Sequence, residues 1–123
     1  MKLDSVIDDY CAAWSEADAG LRVEQLKRVL VDDVTYTDPA ADTRGIDALS
    51  DYISQVLSDR PGARVHRMSR VDAHHHAARF LWQLVMPDGS TLPVGLDIVT
   101  FDEQAGKLAS ILGFFGPLQS ELT

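Results

Sequence analysis

Thiols are nearly absent from this sequence: Cys11 is the one cysteine in 123 residues. No internal disulfide can form, and Cys11 falls on an apolar helix stripe, so it reads as an inert core thiol suited to a reducing cytosol. Basic residues are also few, 11 against 19 acidic, for a formal charge of −8. That surplus keeps a protein soluble and repels polyanions, which argues against nucleic acid and anionic membrane surfaces as partners. No apolar run approaches the roughly 20 residues that cross a bilayer. Met1-Lys2-Leu3-Asp4 leads into acids rather than a signal-peptide core, so a cytoplasmic location is expected. A phosphate loop, a nucleophile elbow and a Cys-His pair are missing. So are repeats and low-complexity tracts.

What is present is ordinary for one globular domain over residues 1–123: 46% hydrophobic and 24% charged residues, enough to bury a real core. Leu3, Val6, Ile7, Tyr10, Cys11 and Trp14 recur at steps of three and four, the stripe of a first helix that Gly20 would terminate. Val23, Leu26, Val29 and Leu30 repeat the pattern in a second helix, with Glu24 and Arg28 able to pair across one turn. Ile46, Leu49, Ile53, Val56 and Leu57 make a third, stopped by Arg60-Pro61-Gly62.

Between the second and third helices lies Asp32-Asp33-Val34-Thr35-Tyr36-Thr37-Asp38-Pro39, a strand that ends on a carboxylate because Pro39 cannot donate to a ladder. The proline also holds Asp38 extended. A carboxylate there is either a loop cap or the base of a site. The small polar stretch Ala40 to Gly45 follows, with room for a brief extended piece.

From Ala63 the period changes to two. Val65 to Val71, Ala77 to Met86, Thr91 to Phe101 and Lys107 to Phe115 are four strand-length runs separated by short turns, hence antiparallel neighbours. Phe80, Trp82, Leu84 and Met86 share one face of the second run. The third is apolar on both faces, so it needs cover on both. Three helices cover one face; a second copy of the chain is the expected cover for the outer one, giving a homodimer. The class is α+β, and long strands curling around helices make a cup for a small apolar ligand. His74-His75-His76 reads as a solvated turn, since consecutive residues point apart and rarely share a metal ion; no metal and no cofactor are expected.

The order of these pieces resembles the SnoaL-like branch of the nuclear transport factor 2-like (NTF2-like) superfamily. The likeness is carried by the two-helix start, Asp-Asp-Val-Thr-Tyr-Thr-Asp-Pro, the Gly45-Ile46-Asp47-Ala48-Leu49 helix start, Ala78-Arg79-Phe80-Leu81-Trp82, and Gly95-Leu96-Asp97-Ile98-Val99-Thr100-Phe101-Asp102 running to Gly113-Phe114-Phe115-Gly116. It implies a cone of three N-terminal helices packed in a strongly curved, mostly antiparallel sheet, in the order α-α-β-α-β-β-β-β. That fold hosts isomerases, polyketide cyclases, epoxide hydrolases and non-catalytic binders. At three positions the chain is similar to ketosteroid isomerases. The resemblance makes Asp38 of Asp38-Pro39 the base, and makes Tyr10 of Tyr10-Cys11-Ala12-Ala13 and Asp97 of Leu96-Asp97 the oxyanion donors.

The residues themselves allow this. Asp97 sits mid-strand among apolar neighbours, on the face of Val99 and Phe101, where burial disfavours the anion and lets a protonated carboxyl donate. Tyr10 carries its ring on the apolar stripe and needs a partner for its hydroxyl. Trp14, His66, Trp82, Phe101 and Phe114 are the expected lining of the ligand pocket. The function expected is cofactor-free proton transfer on an apolar carbonyl compound. The alternatives are polyketide cyclisation, epoxide opening, or a non-catalytic module for ligand binding or dimerisation.

Overall fold

Helix α1 (Leu3–Ala13) forms where the apolar stripe predicts, but Gly20 does not end it. Trp14 closes the helix by bonding its N–H to the carbonyls of Tyr10 and Cys11, which tightens the last turn. Gly20 is instead the second residue of α2 (Ala19–Val29), whose first turn is capped by the Asp18 carboxylate accepting from the Leu21 N–H at 2.9 Å. The computed structural model describes residues 1–123. After α2 come β1 (Leu30–Asp38), β2 (Ala41–Arg44), α3 (Ile46–Asp59), β3 (Arg64–Arg67), β4 (Asp72–His74), β5 (Ala77–Val85), β6 (Gly95–Asp102) and β7 (Lys107–Phe114). Glu24 meets Lys27 at 3.8 Å, not Arg28, an exposed pair worth little.

The strands form one curved, mixed sheet in the order β2-β1-β7-β6-β5-β3, with β4 also on β5. The pairing of β1 with β7 is parallel; all others are antiparallel. The brief extended piece after Pro39 is β2. Two of the four long runs are shorter than the alternation suggests. The first ends at Arg67 as β3 because Ser69 interrupts the ladder: its hydroxyl accepts from the Leu81 N–H at 2.8 Å, taking the place of a backbone partner; β4 forms beyond that run, so His74, expected in a turn, ends a short strand on β5. The third begins at Gly95 because Pro93 has no N–H to give, leaving only an isolated bridge from Thr91 to Val85.

The helices fill the concave side. Ile7, Tyr10, Cys11, Leu26, Leu49 and Ile53 pack against Val34, Phe80, Val99, Phe101, Leu108 and Ile111 in one core cluster. Arg22 is the unexpected member, almost fully buried with no carboxylate among its hydrogen-bond partners. Its guanidinium donates to the Ser50 carbonyl at 2.7 Å, the Ser54 hydroxyl at 2.7 Å and the Glu16 carbonyl at 3.0 Å. Those bonds satisfy the buried donors and tie α2 to α3, fixing the helix that carries Tyr52. On the convex side Leu81, Ile98, Leu112 and Phe114 remain 37–49% exposed. The doubly apolar character of the third run is thus real, with Asp97, Val99 and Phe101 inside and Ile98 outside.

Candidate active site

Alternation along β1 turns Val34, Tyr36 and Asp38 into the cup. The parallel register of Tyr36 with Ile111 and Thr37 with Leu112 sets Gly113 next to Asp38. The antiparallel register of β6 pairs Asp97 with that same glycine. Asp38, Gly113 and Asp97 therefore form one row across three strands. The glycine leaves the gap between the acids: a Cβ there would lie 2.9 Å from Asp97 Oδ1 and 3.5 Å from the Asp38 Cβ. Gly95 does the same for Trp82, whose indole lies over its Cα where a side chain would stand.

Above this row is a cavity of about 390 Å³, within the usual range for small-molecule pockets. Tyr10, Trp14, Tyr36, Asp38 and Asp97 line its closed end, all buried. Val56, Val65, Trp82 and Leu84 form its walls, and Arg60, Leu92, Pro93 and Phe115 border its mouth.

The Asp38 carboxylate is densely held. Its Oδ2 accepts from the Tyr36 hydroxyl at 2.6 Å and the Tyr52 hydroxyl at 2.9 Å, and Oδ1 accepts from the Ala40 N–H at 2.7 Å. The last bond is the loop cap, so Asp38 caps the turn and lines the cavity at once. A carboxylate has about four acceptor positions; one stays open. Tyr36 and Tyr52 hold their protons above the ordinary phenol range, first through burial, then for Tyr36 through the neighbouring Tyr10, and for both through their bonds to Asp38. With Trp14 they make a three-ring cluster, centroids 5.7–5.9 Å apart.

Asp97 has no such partners. Burial, helped by the charge of Asp38, raises its carboxyl to about 7 against the opposing pull of the Trp82 indole. That indole N–H is buried and has no hydrogen-bond partner of normal geometry. The Tyr10 hydroxyl accepts from Trp14 Nε1 at 2.8 Å, which leaves its own proton to give. Burial first, and then the Asp97 charge, keep that proton on well above the ordinary range. The closed end thus combines one carboxylate acceptor with two protonated donors, Tyr10 and, below about pH 7, Asp97.

Of the expected lining residues, Trp14 and Trp82 border the cavity and three do not. His66 points away: β3 alternates with Val65 toward the cup, and His66 opens onto a shallow polar groove beside Asp8 and Arg67. Phe101 faces inward but two pairs further along β6, packed in the core beside its partner Leu108. Phe114 lies on the convex face, 49% exposed, and its neighbour Phe115 reaches the mouth instead. His75 sits in the tight turn after β4 with φ 51°, solvent-exposed. Cys11 borders the cavity as a thiol, pushed up to about 12 by burial. Tyr36 and Tyr52 were missed by the sequence reading. Tyr36 was detectable, two residues before Asp38 on the same strand face; Tyr52, beside Ile53 on the flank of the α3 stripe, was not.

The SnoaL-like domain model matches residues 7–111, which holds Asp38 and Asp97 of the row and all three residues of the ring cluster. The chain belongs to the SnoaL-like family. A presumed isomerase of that family from Agrobacterium tumefaciens superposes with a TM-score of 0.84 at 26% identity, over 92% of this chain and 96% of that one. A protein of unknown function with a cystatin-like fold from Methylobium petroleophilum gives 0.74 at 19% identity, over 98% and 79%. A Catenulispora acidiphila protein with a ketosteroid isomerase-like fold, in complex with trimethylamine, gives 0.71 at 12%, over 90% and 85%. The last two likenesses show the fold alone. No curated protein matches the sequence.

Proposed function

We propose that this SnoaL-like protein is a cofactor-free isomerase-type enzyme that moves a proton on an apolar carbonyl compound. Asp38 removes the proton alpha to the carbonyl, and the electron pair of that C–H bond passes to the carbonyl oxygen. Tyr10 and protonated Asp97 donate to the oxygen as it becomes an enolate. Asp38 then returns the proton at another carbon of the conjugated system. Electrostatic stabilisation of this kind is worth roughly 2.7–4 kcal/mol per donor, and a positioned base about 10²–10⁴-fold. The observation that carries the reading is the common cavity of the three side chains, with one free acceptor position on Asp38 and unspent donors opposite. Apolar walls exclude water and strengthen each of these interactions.

The test is isomerisation of an unsaturated 3-ketosteroid, followed by the absorbance of the conjugated enone, with Asp38→Asn as control. Turnover that the substitution abolishes supports the reading. No rate above buffer across several ketones, with ligand demonstrably bound, contradicts it and leaves a binding module. The same proposal includes a cytoplasmic homodimer formed through the convex face, where Leu81, Ile98, Leu112 and Phe114 would lose their exposure. Sedimentation at micromolar concentration as a monomer would overturn that part.

A further inference from the structure

Three charged residues border the cavity, and they are segregated. Asp38 and Asp97 stand at the closed end, 8% and 6% exposed. Arg60 stands at the mouth, exposed, near Pro93 and Phe115. Its backbone is fixed by the end of α3: the Arg60 N–H donates to the Val56 carbonyl at 3.0 Å, and its carbonyl accepts from the Ala63 N–H at 3.1 Å. Pro61 prevents another turn. The side chain has no such restraint. Arg60 takes no part in the ion pairs of the protein, which are Lys27 with Glu24, Arg67 with Asp8 and Arg79 with Asp72.

An unpaired guanidinium at the rim of an apolar cavity, in a chain with eight more acids than bases, is a fork of donors suited to a carboxylate. The acidic closed end supplies the complementary half of the argument, because it would repel an anionic group and admit a neutral carbonyl. We infer that the substrate is amphipathic, with its carbonyl at the Asp38, Tyr10 and Asp97 end and a carboxylate at the opposite end, held by Arg60. The inference rests on the carbonyl reading above and adds to it the class and orientation of the ligand.

The probes are 6-hydroxy-2-naphthoic acid, whose hydroxyl stands in for the enolate oxygen, and its methyl ester, titrated calorimetrically. The wild-type protein should bind the acid about three- to fivefold tighter than the ester, the range of a partly exposed ion pair. Arg60→Gln should bring the ratio to one with ester affinity unchanged, and Arg60→Glu should invert it. High salt should shrink the wild-type ratio. Equal affinity for acid and ester in the wild type, a ratio that survives Arg60→Gln, or no binding of either probe overturns the inference. The carbonyl reading fails separately, as an ester affinity indifferent to Tyr10→Phe.

Discussion

Asp38 and Asp97 occupy the same row of the same sheet, separated by one glycine, and their surroundings differ in nearly every respect. Asp38 ends its strand and accepts from two phenols and a backbone N–H. Asp97 lies within its strand and has no protein hydrogen bond; burial dominates and raises it to about 7. Strand position makes the difference. At the end of β1 the chain turns and supplies a free N–H, and Tyr36 two residues earlier shares the face. Within β6 every neighbouring backbone group is committed to the ladder, and Phe80 and Val99 offer nothing polar. Two identical side chains are thereby suited to opposite work, one to accept a proton and the other to hold one.

Removing the acceptor should have the largest effect. Asp38→Asn is expected to lower turnover about 10²–10⁴-fold while the naphthoate ester still binds by calorimetry. Closing the gap between the acids comes next. Gly113→Ala inserts a methyl group against Asp97 Oδ1, with an expected loss of about 1–3 kcal/mol of stability and weaker ester binding; unchanged denaturation and binding would mean the two acids do not share a gap.

Asp97→Asn sharpens the contrast through pH. An unfolded aspartate titrates near 3.9, whereas folded Asp97 does so at about 7. Between these values the native state holds a proton that the unfolded state lacks. Stability contributed by Asp97 is therefore complete below about pH 4 and is lost as pH rises through 7. Roughly three pH units correspond to at most about 4 kcal/mol. The asparagine variant should melt close to the wild type at pH 4 and above it at pH 8, by differential scanning calorimetry; an equal difference at both would contradict the burial argument. Smallest is the effect of one hydrogen bond. Tyr52→Phe and Tyr36→Phe each remove a donor from Asp38 and should each cost about 0.5–1.5 kcal/mol of stability in chemical denaturation, Tyr36 more than the less buried Tyr52; no change in either variant would mean these bonds do not hold the carboxylate.

The fold was legible because its signals are periodic. The helix stripes, the switch to alternation after Ala63 and the Asp38-Pro39 stop are local patterns, and each corresponds to an element or its end. Breaks in the ladder were not legible: Ser69 replaces a backbone partner only because Leu81 lies opposite it. At the site, Asp97 could be assigned to the inner face from alternation alone. His66 and Phe114 were misassigned by one residue of strand parity, which reverses a side chain. Tyr52 and Arg22 depend on how α3 packs against α2 and β1, information that no local spacing contains.

Asp97 is a buried acid that keeps its proton near neutrality in the same cavity as Asp38. A carbon-13 NMR titration of the aspartate carboxyls, with Asp97→Asn identifying the resonance, tests it most directly. A midpoint near 7 for Asp97 is the predicted result, and a midpoint in the ordinary range near 4 would contradict it.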